Sequence, residues 1–303
     1  MKNTQDNLYL GVDGGGTKCR ASLYDKNLNL LGTGLGGPSN PINGVQRTLF
    51  SITDAAKAAV KDAGYDESIL SNVDAGIGLA GVNLPYLYDE ISNWEHIFKS
   101  MYLTTDLNIA CMGAHKSHVG AVFILGTGSV AFSRTLSTKE DIIIGGHGFL
   151  LGDKASGSWF GQQALKSILL SVDKIKPKTQ MTGLIERQLS CSSKEIVVKM
   201  AGAIPRDFAQ LAKVVFIAAE NNDPAALVII QEAVDYTEQV ILKLLQTNPH
   251  RISLVGGITK LLLPWLNSVL VDQIKPQLET PEYGAALFIK QSIEQQAKQN
   301  IAN

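Results

Sequence analysis

Gly11-Val12-Asp13-Gly14-Gly15-Gly16-Thr17-Lys18 sets three consecutive glycines between an acidic and a hydroxyl side chain. The residues leading in, Leu8 to Asp13, read as a strand. Those leading out, Cys19 to Tyr24, alternate Cys19, Ala21 and Leu23 with Arg20, Ser22 and Tyr24, the two-residue period of a second strand. The glycines therefore close a hairpin. Glycine lets backbone amides approach an anion and tolerates positive φ. Such a turn can form a concave row of N–H groups for phosphate, with the Thr17 hydroxyl and the Lys18 charge beside it. Asp13 stands where a magnesium ion and its waters would be held against those phosphates. A P-loop does not fit, because Thr17 precedes Lys18 and a strand follows, and a dinucleotide fingerprint also requires a helix next. A plain tight turn is the alternative, although three glycines exceed what a two-residue hairpin needs.

Downstream, Asp25-Lys26-Asn27 is turn chemistry and Leu28 to Thr33 a third extended run, so residues 8–34 read as an antiparallel meander. Helical patterning follows from about Gly44 to Ala63. Val73 to Leu79 reads as a buried strand ending in Gly78-Leu79-Ala80-Gly81, and Met101 to Thr105 as another, ending at Asp106. After a helix-compatible Asn108 to Ser117, the plan recurs: strand Val119 to Leu125, turn Gly126-Thr127-Gly128-Ser129, strand Val130 to Thr135. The recurrence predicts two related α/β lobes with a ligand cleft between them. Residues 1–107 form the first lobe, rejoined by a C-terminal helix over 286–301, and residues 108–285 the second. Ser158 to about Thr247, broken near Pro177, Pro205 and Pro224, reads as an α-rich elaboration of the second lobe.

Bulk properties narrow the function. At 303 residues, two lobes are the natural division. Lys and Arg number 27 against 28 for Asp and Glu, so no global field recruits nucleic acid or an anionic membrane, and an anionic ligand must be held locally. The polar start, Met1 to Asn7, lacks a signal layout and apolar runs are far below a membrane span, which predicts a cytoplasmic protein. Cys19, Cys111 and Cys191 are scattered, suggesting neither a disulfide framework nor a zinc or iron-sulfur site. His115 and His118 lack a third ligand, so the expected metal is magnesium carried in with a nucleotide.

The ordered segments Asp13-Gly-Gly-Gly-Thr17, Thr105-Asp106, Leu125-Gly-Thr-Gly-Ser129, Gly152-Asp153, Leu254-Val-Gly-Gly-Ile258 and Pro281-Glu-Tyr-Gly-Ala-Ala-Leu287 span nearly the whole chain. They resemble the motifs of the N-acetylglucosamine and glucosamine kinase family, related to BadF/BadG/BcrA/BcrD-type ATPases. The resemblance implies an actin-like ATPase fold of two ribonuclease H-like lobes with mixed five-stranded sheets and flanking helices. It also implies ATP and Mg2+ as cofactors, a small-molecule sugar substrate, and a homodimer. Asp13, Gly14, Gly15, Gly16, Thr17 and Lys18 would form one phosphate loop and Gly126, Thr127, Gly128 and Ser129 the other, with Gly256 and Gly257 against adenosine. Glu282 to Leu287 would be a connecting helix whose Gly284 and Ala285 permit close packing between lobes.

By the same resemblance, Asp106 would be the catalytic base; capping the following helix is its ordinary alternative. Ser39, Asn40, Gly81, Asp106, Gly146 and Asp153 would line the sugar site. A Pro-Ser-Asn-Pro turn equally explains Asn40, and helix-start chemistry equally explains Asp153. Lys154 and His147 depart from the family, which usually has Glu and Trp there, and this bears on sugar identity. The implied reaction is ATP-dependent phosphorylation of the 6-hydroxyl of N-acetylglucosamine. Glucosamine is the alternative substrate, and a BadF-type ATPase activating a partner protein is the alternative of another class.

Overall fold

The computed structural model describes residues 7–136 and 141–302. Contacts divide the chain into two compact units, Met1–Gly120 with Pro276–Asn303, and Ala121–Lys275.

The first unit is built on β1 (Leu8–Gly14), β2 (Cys19–Tyr24), β3 (Leu30–Gly36), β4 (Val73–Leu79) and β5 (Ser100–Thr105), in the order β3-β2-β1-β4-β5. The meander β1–β2–β3 is antiparallel, whereas β1–β4 and β4–β5 are parallel. Every residue of β4 is buried, as expected for a central strand covered on both faces. Helix α1 (Val45–Asp62) lies on β3. Its seat is written in the sequence: Gly32, Gly34 and Gly36 line one face of the strand, and a Cβ at Gly34 or Gly36 would overlap the carbonyl of Ala55 or Ser51. Helix α2 (Pro85–Ser92) precedes β5, and α3 (Asp106–His115) follows it directly.

The C-terminal helix, Pro281–Ala302, packs on α3, β1 and β4. A Cβ at Gly284 would overlap the carbonyl of Ile109, and one at Gly76 the carbonyl of Ala285. The close approach expected at Gly284 and Ala285 therefore lies inside the first unit. The same packing draws α3 and residues 276–285 into that unit, so the division falls at 120 and 276 instead of the expected 107 and 285.

The second unit contains β6 (Gly120–Leu125), β7 (Ser129–Arg134), β8 (Ile142–Gly145) and β9 (Ile252–Val255), ordered β8-β7-β6-β9. β7 and β8 run antiparallel, and β6 and β9 parallel. The sheet has four strands where five were expected. At the fifth position a single parallel bridge joins Ile252 to Ile274. Pro276 follows two residues on and has no amide hydrogen with which to extend a ladder. Counting that bridge, the order repeats that of the first sheet.

Between β8 and β9 come α4 (Gly157–Val172), α5 (Met181–Leu189), α6 (Ala212–Glu220) and α7 (Pro224–Leu245), the expected helical elaboration. Pro224 occupies the first turn of α7, and Asp223 caps that helix by accepting the Ala226 N–H at 2.9 Å. Phe123, Phe160 and Phe216 are fully buried in this unit's core. Among the described residues no helix is long and apolar enough to cross a membrane.

Candidate active site

In the first unit the four residues Gly15 to Lys18 join β1 to β2, closed by Gly15 N–H donating to the Lys18 carbonyl at 3.1 Å. Two more bonds tie this hairpin to its neighbours. Ser39 N–H donates to the Gly15 carbonyl and Ala80 N–H to the Gly14 carbonyl, both at 2.9 Å. The turn, the loop after β3 and the loop after β4 thus meet at one end of the sheet. None of Gly14, Gly15 and Gly16 adopts positive φ, so space rather than backbone handedness explains them. A Cβ on Gly14 would overlap the Leu79 side chain and sit 2.7 Å from Ser39 Oγ, whereas one on Gly16 would meet nothing within 4 Å. Gly14 answers to packing; Gly16 keeps an exposed stretch of backbone bare.

Asp13 lies at the end of β1, partly buried. Burial pushes its carboxyl up to about 7, with the charges of Glu282 and Asp106 adding and those of Lys18 and Arg20 opposing. Asp106 is the first residue of α3. Its predecessor Thr105 takes the capping role, accepting the Asn108 N–H on Oγ1 at 3.2 Å. The capping alternative for Asp106 is thereby assigned to another side chain. Asp106 Oδ1 accepts the Leu107 N–H at 2.9 Å, and burial nevertheless holds the carboxyl up at about 6.

Asn40 Oδ1 accepts the Ile42 N–H at 3.0 Å, starting the turn Pro41–Asn43. Gly81, with φ +87°, faces it, and a Cβ there would lie 2.6 Å from Asn40 Oδ1. Asn40 thus shapes the turn and stands beside Gly81. Ser39 is fully buried between Gly14 and the turn.

In the second unit the turn after β6 is seated on the start of α4. Gly157 N–H donates to the Gly126 carbonyl at 2.8 Å and Ser158 N–H to that of Thr127 at 3.1 Å, while Gly126 N–H donates to the Gly128 carbonyl at 3.0 Å. Asp153, in the left-handed region at φ +56°, braces this turn: Oδ1 accepts the Ser129 N–H at 3.1 Å, and a Cβ on Gly128 would come within 2.8 Å of Oδ2. Burial raises the Asp153 carboxyl, with the Ser129 N–H and His147 opposing. Ser156, not Asp153, caps α4, accepting the Trp159 N–H at 3.2 Å. Lys154 pairs with Glu232 of α7 at 2.9 Å.

Gly146, at φ +73°, follows β8 in the same unit. Gly256 sits at φ +111° with the Leu125 carbonyl where a Cβ would be, and Ile258 N–H donates to that carbonyl at 3.0 Å. Its neighbour Gly257 has open space. The first is required by the turn; the second leaves bare backbone on which a flat ring can lie.

Sequence reasoning missed Glu282 and Arg20. Glu282 reads as an ordinary acidic residue in a first helical turn, yet it is buried and lies near Asp13. Arg20 reads as the outward member of an alternating strand, yet it pairs directly with Asp13 across the hairpin and reaches Glu282 at 3.7 Å.

The chain is similar to kinases of amino sugars over most of its length. Glucosamine kinase of Vibrio cholerae is 31% identical over 93% of this chain and 95% of its own length. N-acetyl-D-glucosamine kinase of Dictyostelium discoideum is 27% identical over 93% and 97%. The crystal structure of a proposed N-acetylglucosamine kinase from Chromobacterium violaceum superposes with a TM-score of 0.86 at 26% identity, covering 94% of this chain and 99% of that one. The two related mixed sheets are those of the actin-like ATPase fold. The model of the BadF/BadG/BcrA/BcrD ATPase family matches residues 10–288, and the chain belongs to that ATP-using family.

Proposed function

We propose that the protein is an ATP-dependent kinase that transfers the terminal phosphoryl group of ATP to the 6-hydroxyl of an amino sugar, N-acetylglucosamine first among candidates. The observation that carries this reading is the state of Asp106: a desolvated carboxylate at a strand end, relieved of capping by Thr105, in the same unit as the Gly14–Gly16 turn and the Asn40–Gly81 pair. Phosphoryl transfer asks little covalent chemistry of a protein. It needs an aligned hydroxyl, a group to take its proton and donors for phosphate oxygens. Asp106 takes the proton as the hydroxyl oxygen bonds to phosphorus and ADP departs. The turn amides, Thr17 and Lys18 stabilise the phosphates. Gly126 to Ser129 offers a second such turn, and Gly257 bare backbone for the base. By this reading Asn40 and Gly81 of the first unit face the sugar, Ser39 is fully buried and supports their loop instead, and Gly146 and Asp153 are the candidates offered by the second unit.

The residues present also suit a divalent cation. Asp13 is a carboxylate held in a region of accumulated negative charge, which a cation relieves. Among the described residues no three acidic, histidine or cysteine side chains converge closely enough for direct ligation. Magnesium retains several of its waters and needs no such cluster. Asp13 would hold it through water, and when bound it would offset charge on the phosphates.

The similarity to a glucosamine kinase keeps free glucosamine as the competing acceptor. An ATP-coupled assay across glucosamine, N-acetylglucosamine, glucose and N-acetylmannosamine tests the reading. It expects turnover that depends on an amino sugar, highest with N-acetylglucosamine. Turnover indifferent to any sugar would reject it.

A further inference from the structure

Glu282 is a buried acid that the reaction described above leaves unused. Its side chain is 5% exposed, and its ion partner is Arg20, whose Nε stands 3.7 Å from Oε1 and whose own side chain is half exposed. That separation exceeds a hydrogen bond, so the pair is electrostatic and leaves the carboxylate without a charge-assisted hydrogen bond from Arg20. Glu282 cannot readily move away. Its backbone carbonyl is lodged against Gly11 of β1, two residues before Asp13. Across the hairpin Arg20 is the direct partner of Asp13, which places both side chains on one face of the sheet. Of all side-chain charges acting on Asp13, that of Glu282 is the strongest. The Glu282 and Asp13 carboxylates thus share the half-exposed Arg20 guanidinium, with Lys18 as the other cation acting on Asp13.

We propose that Glu282 is a positioning residue for the divalent cation of the bound nucleotide, joining Asp13 in accepting hydrogen bonds from the cation's waters. The proposal rests on the kinase reading, in which Asp13 faces that cation. It assigns to the first turn of the C-terminal helix a task beyond packing: Glu282 would help to hold the cation's waters when the nucleotide is bound. Arg20 then holds the Glu282 carboxylate when no cation is present.

The test compares binding of a non-hydrolysable ATP analogue, by calorimetry, with excess Mg2+ and with EDTA. In wild type, Mg2+ tightens binding. In Glu282→Gln, which preserves shape, the cation-dependent gain falls about tenfold or more, the usual cost of losing such an outer partner, while metal-free affinity stays within about twofold. A folded variant that keeps the full gain overturns the proposal. Arg20→Gln retains the carboxylate and covers the case in which the first variant fails to fold. The gain then persists, and its loss would assign the effect to the ion pair, overturning the proposal. Wild type that gains nothing from Mg2+ rejects the kinase reading itself, which separates the two failures.

Discussion

Thr105 caps α3, and this leaves Asp106 with Leu107 N–H as its local donor and with burial holding its proton more tightly than in water. Asp106→Asn removes the proton acceptor while keeping the shape. Turnover should drop by about two to four powers of ten with nucleotide affinity nearly intact, as read by coupled assay and binding titration. As a base Asp106 must be ionised, so kcat/KM should be level above its value of about 6 and fall roughly tenfold per pH unit below it. Asp13 makes an opposite statement about stability. Its folded value of about 7 lies above the ordinary 3.8, so its contribution is full below the ordinary value and is lost as pH rises through 7. Asp13→Asn should therefore stabilise the nucleotide-free, metal-free protein at pH 8 by about 1–3 kcal/mol, allowing for solvent at a partly exposed group. At pH 4 the difference should vanish, as denaturant melts at the two pH values would show.

At the scale of elements, neighbouring glycines that look alike in the sequence carry different duties. Gly256→Ala places a Cβ into the Leu125 carbonyl at φ +111° and should cost about 1–3 kcal/mol. Gly257→Ala meets open space and should leave the melting temperature unchanged while weakening nucleotide binding. Thermal melts with and without nucleotide separate the two. The elements themselves were legible. Val73–Leu79 is the strand expected to the residue, and the hairpin around Gly14–Gly16 follows from two alternating runs and a glycine turn. Ser39, Asn40 and Gly81 were legible as loop residues. That Asn40 meets Gly81 was not, because the meeting depends on bonds from Ser39 and Ala80 to the carbonyls of a hairpin between them.

For the whole molecule, the C-terminal helix completes the first unit from the far end of the chain. Gly284→Ala should destabilise by about 1–3 kcal/mol in chemical denaturation, since a Cβ there has the backbone of Ile109 and Gly113 against it. A neutral result would mean the helix can shift at no cost. Local information determined the repeated strand-turn-strand plan, the two-lobe α/β layout and the phosphate-loop candidates, because hydrophobic period and turn chemistry act over a few residues. Tertiary structure alone decided that α3 and the last helix share a unit, that the fifth strand of the second sheet shrinks to one bridge, and that Glu282 lies beside Asp13. Those outcomes depend on backbones meeting at van der Waals distance across long separations, as with Gly11 and Glu282, and no period or propensity within either segment encodes its distant partner.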